Sequence, residues 1–473
     1  MDFGAAKIII LAKSCLMSFC KWAAIISLMV PAWCLLEFTL YHYFTVIREF
    51  ETAFFSLQDM ALPCLLVWCA TFFLLTWRTD DWFLVIFLLI AAILYLSPSD
   101  LAPNMILLIF GVTVGKGTNL LLSMKVQKSE RASFFIGLLT LLMFVSIWHL
   151  DMSSNCYHGP RWTGLCGNPN TYGMLMGSGV VLAVGLLMPR LKKKRALENL
   201  IKVERSKWIK LRIFLGICIF MLGFGLVMSY SRGAWLATGV GFCYLAWHYG
   251  KIRWRYILPI VVVVVVLIPF LWNHTPDSAP WYVKRADLGR ASAQHRLSAW
   301  RAGLEIMRDH PFGIGWNKAV SLYYKNYSPP EGGAAAITTN DYLMVGTELG
   351  VPALMCFVTY LTLCYRTNRR SAAVAAGGCG SVSPPAGTSG GTPVELADET
   401  SALRVACRSG ALAMLVAFWF DGGLFQLPTA ALFWVLLELG SQVPKPFYPT
   451  QPALLNNFTE TSGAMKGNSQ SPS

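Results

Sequence analysis

Three arginines and one short polar run hold the residues of this chain best suited to chemistry. Arg161 heads Arg-Trp-Thr-Gly-Leu-Cys-Gly-Asn-Pro-Asn, residues 161–170. Arg232 sits in Ser-Tyr-Ser-Arg-Gly-Ala-Trp, residues 229–235, an abrupt turn between two apolar runs. Arg296 lies in a polar stretch, His274 to Asp341, which closes on Thr338-Thr-Asn-Asp-Tyr-Leu343. A planar guanidinium grips two phosphate oxygens at once. A carboxylate such as Asp341, or an imidazole, takes a proton from a hydroxyl. Together these groups suit a substrate whose phosphate leaves as a bond to it breaks, because fixed cations stabilise charge where it develops. Each position also has a plain structural use. Arginines reach lipid headgroups, Thr339 or Asn340 caps the helix that follows, and Asn168 or Asn170 caps the helix after Asn-Pro-Asn.

The elements that must position these residues are apolar helices. Hydrophobic residues make up 55% of the 473, and charged ones only 14%. That balance excludes an ordinary soluble domain, and the apolar runs are continuous rather than alternating, so helices are expected to span a membrane. The expected fold is an all-α polytopic membrane protein. Twelve spans fit, near 22–45, 59–77, 82–97, 101–122, 133–150, 171–189, 211–229, 234–249, 256–272, 342–365, 404–420 and 424–440. The fourth is the weakest, because Lys116 interrupts it. The first 20 residues read as an amphipathic surface helix with no cleavable signal.

The formal net charge is +14. In a soluble chain that would suggest nucleic acid, but here the excess falls in short loops. Clusters at 125–131, 190–212, 251–255 and 366–370 all lie on one face of a twelve-span chain, with the amino terminus. Positive loops face the cytoplasm, so no nucleic-acid partner is expected. The opposite face receives 46–58, 98–100, 151–170, 230–233, 273–341 and 421–423. Residues 1–272 then form nine spans, 273–341 a large outer loop, and 342–440 three spans with a linker rich in Gly, Ala, Ser and Pro at 371–400. The tail, 441–473, reads as disordered. Most of the 13 cysteines are in apolar runs. Cys156 and Cys166 share an outer loop where a disulfide is open to them. No Cys/His spacing resembles a zinc site.

Within the outer loop, 291–309 reads as an amphipathic helix with Leu297, Trp300, Leu304 and Met307 on one face. That stripe is expected to pack onto the membrane helices. Arg296 and Arg308 are left over by it. His310-Pro-Phe-Gly-Ile-Gly-Trp316 follows as a glycine-rich turn, whose backbone N–H groups could approach a phosphate.

At these residues the chain resembles the O-antigen ligase family, which includes O-antigen polymerases and protein O-oligosaccharyltransferases. The matching features are Arg-x-x-Gly-Leu-x-Gly-Asn-Pro-Asn at 161–170, Ser-Arg-Gly-Ala-Trp at 231–235, and a third group within 296–350. That group comprises Arg-Leu-x-x-Trp, His-Pro-x-x-Gly-x-Gly and Asn-Asp-Tyr-Leu-x-x-x-x-Glu-Leu-Gly. The resemblance implies twelve spans with a periplasmic loop between the ninth and tenth, in a bacterial inner membrane. It implies metal-independent, cofactor-free transfer of a glycan from undecaprenyl diphosphate to lipid A–core or to another glycan. Arg161, Arg232 and Arg296 would engage the donor diphosphate. The family motif reads His-Asn where this chain has Thr339-Asn340, and a threonine hydroxyl is no base near neutral pH. Asp341 is the first expected substitute, with Glu331, His274, His295 and His310 on the same side. A lipid or glycan transporter and an inactive scaffold are the competing classes. No internal repeat points to a transporter.

Overall fold

Every long element among the described residues is a helix, as continuous apolar sequence requires where backbone polar groups must be satisfied within the segment. The computed structural model describes residues 69–71, 73–95, 103–123, 128–147, 161–166, 168–192, 202–249, 291–327, 339–377 and 393–441. Six long helices come first: α1 Asp81–Tyr95, α2 Pro103–Ser123, α3 Lys128–Ile147, α4 Pro169–Lys192, α5 Lys202–Met228 and α6 Arg232–His248. The polar stretch supplies α7 Ala291–Asp309, the short α8 Ala319–Leu322 and the short α9 Asp341–Met344. Three long helices close the chain: α10 Val351–Gly377, α11 Pro393–Phe420 and α12 Leu427–Ser441. The expected spans 22–45 and 256–272, most of 59–77, the amino-terminal surface helix and the tail from 442 lie outside the described residues. So does the middle of the 371–400 linker, although α10 and α11 extend into both of its ends.

Pro169–Met188, Ile209–Met228 and Ser401–Phe420 are long and apolar enough to cross a membrane, and five shorter apolar helices accompany them. The α5 surface shows what such helices face. Ile209, Ile213, Ile217, Phe220, Phe224 and Val227 are all exposed, in a stripe along its length. Water would penalise that stripe and lipid does not.

The long helices run up and down. One set of ends meets where Trp162 N–H donates to Met228 O at 3.0 Å and Asn170 reaches Asp421. The opposite set meets where Arg78, just before α1, donates to Ser441 at the end of α12. There Arg408 of α11 donates to Gly440 O at 2.8 Å, satisfying a carbonyl at the end of α12, and to Cys364 O of α10 at 2.9 Å. At the centre, α4 packs against α5, α6 and α11, and α12 lies along α2. Gly111 and Gly115 make the second contact close: a Cβ at Gly115 would sit 2.7 Å from Trp434 O. Small residues four apart are a standard way for membrane helices to approach.

Two details differ from the sequence reading. The tenth span is not one helix from 342. It begins as α9, passes through a wide turn at Val345–Leu349, and breaks at Gly350, where φ is +90°. The break lets Gly350 interlock with the glycine-rich turn. A Cβ at Gly350 would lie 2.5 Å from Phe312 C, and one at Gly313 (φ +87°) would lie 2.5 Å from Glu348 O. Gly350→Ala should therefore cost on the order of 1–3 kcal/mol, read as a lower melting temperature of the detergent-solubilised protein.

The second difference is the buried face of α7. Leu297 and Leu304 are exposed, whereas Ala299, Ala302, Ile306 and Met307 are buried. Small residues win that face because α7 lies close on α9, where a Cβ at Gly303 would touch Leu343 at 3.4 Å. Only Trp300 and Met307 of the expected stripe pack inward, Trp300 edge-on to Trp419 at 5.7 Å.

Candidate active site

The site is built where α4, α6, α7 and the α11–α12 turn converge. Pro169 opens α4, and Asn168 Oδ1 caps it by accepting from Asn170 N at 2.9 Å. The Asn170 side chain is therefore free of capping. Its Oδ1 accepts from Arg161 Nη2 at 2.6 Å, and its Nδ2 donates to Asp421 Oδ1 at 2.8 Å. Arg161 is held from the other side as its Nε donates to Ser229 O at 3.0 Å. Ser231 caps α6 by accepting from Ala234 N, which places Arg232 on the first turn, exposed. Gly233 beside it touches the turn, since a Cβ there would lie 3.1 Å from Asp421 Oδ2. From above, Arg296 of α7 donates through Nη2 to Asp421 Oδ1 at 2.8 Å.

The structure thus brings Arg161, Arg232 and Arg296 together, and the group that joins them is Asp421. Sequence reasoning placed 421–423 on the same face as the arginines but gave Asp421 no role. One signal was available. Asp421 opens the six-residue turn Asp-Gly-Gly-Leu-Phe-Gln between two apolar runs, and an ionisable residue at a membrane boundary needs partners. Asn170 was noted only as a cap. Burial pushes the Asp421 carboxyl up to about 6, while Arg296, Arg161 and Arg232 pull it down.

The residues of the Thr-Asn-Asp run have other contacts. Thr339 is half-buried in a tight turn. Asn340 is fully buried and caps α9, its Oδ1 accepting from Tyr342 N at 3.0 Å and Leu343 N at 3.1 Å. Its Nδ2 has no partner among the described residues. Asp341 is buried, and its Oδ2 accepts from Gly423 N and Leu424 N, both at 2.7 Å. Burial pushes Asp341 up to about 7, the two amides pull it down, and nearby Asp421 raises it again.

The glycine-rich turn does not present its amides to a ligand. Ile314 N donates to Thr347 O and Gly315 N to Glu348 O, at 3.1 and 3.0 Å. His310 is exposed beyond the far end of α7. At 1.5 Å per helical residue it is about 20 Å from Arg296, too far to serve at Asp421. His295 is described only as α7 backbone, and His274 and Glu331 lie outside the described residues. Arg308, also left over in the sequence, is exposed and pairs with Asp309. Cys166 is a free thiol packed beside the helices, and Cys156 lies outside the described residues. Among the described residues no three His, Cys, Asp or Glu side chains gather as a metal set.

Residues 216–358 match the family model described as O-Antigen ligase. Over these residues the chain is similar to the O-antigen ligase family. No curated protein matches the chain. That likeness supports a membrane glycosyl-transfer function of the O-antigen ligase and polymerase kind. The O-antigen ligase segment contains Arg232, Arg296 and the Thr339–Asp341 run, whereas Arg161, Asn170 and Asp421 lie beyond its ends. The charged cluster therefore joins the family segment to helices on both sides of it.

Proposed function

We propose that the chain is an O-antigen ligase that moves a glycan from undecaprenyl diphosphate to lipid A–core, at the periplasmic face of a bacterial inner membrane. The observation that carries this reading is the convergence of three arginines on Asp421 at one end of the helix bundle. Their charge exceeds that of one carboxylate, so the cluster is suited to a diphosphate.

In the proposed reaction an acceptor hydroxyl oxygen attacks the anomeric carbon of the donor sugar. The bond from that carbon to the phosphate oxygen breaks, and the lipid diphosphate leaves with the electron pair. Arg161, Arg232 and Arg296 stabilise the charge it gains. Asp421 takes the hydroxyl proton as Arg296 turns from it to the phosphate. Asp421 replaces Asp341 in this role because it lies among the arginines, whereas Asp341 Oδ2 is already engaged by two amides. A single in-line displacement inverts the anomeric configuration. This route asks no chemistry of Thr339.

The test is reconstitution in proteoliposomes with a lipid-diphosphate glycan and lipid A–core. Glycosylated lipid A–core supports ligation. A lengthened glycan made without that acceptor would make the protein a polymerase, and movement of intact donor across the bilayer would make it a transporter. The pH profile checks the proton acceptor. Asp421 must be ionised to accept, and burial has raised it from the ordinary aspartate value of about 4 to about 6. Transfer should therefore fall about tenfold per unit as pH drops below that point. A break near 7 would instead favour Asp341.

A further inference from the structure

We infer that Asp341 is a positioning residue, which fixes the α11–α12 turn so that Asp421 faces the three arginines. The inference rests on the reading of Asp421 just given, and adds how that group is held. Asp341 is on the first turn of α9, next to the cap residue Asn340, so its own backbone is anchored by the two capping bonds. From there its Oδ2 accepts the N–H groups of Gly423 and Leu424, two and three residues past Asp421. Those amides lie in the turn between α11 and α12, before the first residue of α12. The rest of the turn is bonded partly to itself, Gln426 N donating to Gly423 O at 3.2 Å and Gln426 Nε2 to Gly422 O at 2.9 Å, and partly to α4, where Thr171 donates to Gln426 Oε1. Asp341 thus ties the backbone of the turn that carries Asp421 to the α9 segment under α7, which carries Arg296. Tyr342 adds a second tie from the same segment, its hydroxyl donating to Leu415 O at 2.8 Å in α11.

Glu348, seven residues further on, uses the same device. Its carboxylate takes the N–H groups of Asn317 and Ala319, while its Oε2 has no partner among the described residues. One segment, 341–350, therefore holds the outer turns on both sides of it through buried carboxylates.

A tie and a proton acceptor respond differently to asparagine. Both amides bond the same oxygen of Asp341, and an asparagine Oδ1 has two lone pairs for them. Asp341→Asn in full-length protein should keep transfer within about threefold, because the acceptor geometry survives. Asp341→Ala should lose on the order of 100-fold, the scale expected when a reacting group is misplaced by about 1 Å. Hydrogen exchange of the Gly423 and Leu424 amides, in the same protein in nanodiscs, reads the tie without any substrate. Both should stay protected in Asp341→Asn and exchange faster in Asp341→Ala. Loss of transfer in Asp341→Asn with both amides protected would overturn the inference and make Asp341 a chemical participant. Full transfer in Asp341→Ala, or unchanged exchange there, would overturn it too. If the wild-type protein transfers nothing, the ligation reading fails by itself, and the exchange measurement alone decides the tie.

Discussion

Arg296→Ala should reduce glycan transfer by about 10²–10³-fold, the loss seen when a preorganised donor is removed from a developing oxyanion. Arg296 reaches the site from α7, above the bundle, and its Nη2 donates to Asp421 Oδ1 at 2.8 Å. Its removal has two effects. The leaving diphosphate loses one fixed cation, and the buried Asp421 carboxyl loses the first of the cations that offset its burial. Arg296→Lys should recover little, because an ammonium cannot reproduce the planar fork. The internal control is Arg308, on the same helix but exposed and paired only with its neighbour Asp309. Arg308→Ala should leave transfer within twofold, as surface pairs contribute about 0–1 kcal/mol. Arg232→Ala and Arg161→Ala should resemble Arg296→Ala, with the protein still in the membrane. Transfer at the wild-type rate in Arg296→Ala would remove the diphosphate clamp from the mechanism.

The sequence made some of this arrangement legible. Arg161, Arg232 and Arg296 are cationic residues on the face opposite the basic loop clusters of the twelve-span reading, so composition and charge distribution point to them without a structure. The caps of α4 and α9 could also be read, because Asn-Pro-Asn and Thr-Asn-Asp carry short-range signals. Asp421 could not be recognised in the same way. Its partners Asn170 and Arg296 are 251 and 125 residues away in sequence, and no local spacing links them. The glycines of 310–316 misled for a related reason. A Gly-x-Gly turn that packs against another backbone and one that cradles an anion look alike until the acceptors of its amides are known. The buried face of α7 shows the limit of hydrophobic periodicity. Leu297 and Leu304 fit the stripe, but the close approach to Leu343 selects alanine and glycine instead.

Lys116 shows the opposite case, in which an apparent defect in a span is the centre of a structure. In the sequence it weakens the fourth apolar run. In the fold its Nζ is buried between Asp81 Oδ1 at 2.8 Å and Glu438 Oε1 at 3.1 Å. Arg78 Nη2 approaches the same two carboxylates at 3.3 and 3.5 Å, and Tyr360 and Asn119 donate to Glu438. Two cations and two anions therefore balance where α1, α2, α10 and α12 meet, at the end of the bundle away from the arginine site. An unpaired charge is costly at such a depth. Lys116→Met would leave two buried carboxylates with Arg78 alone, and should cost about 3–5 kcal/mol, the usual cost of breaking a buried pair from one side. The readout is thermal unfolding of the purified protein in detergent. Adding Glu438→Gln to Lys116→Met restores neutrality with Arg78 and Asp81, so the double variant should be more stable than the sum of the single losses predicts. Simple additivity would mean that Lys116 and Glu438 do not act as a pair. Transfer by whatever fraction of Lys116→Met remains folded should be normal, because Asp421 and its arginines occupy the other end of the helices.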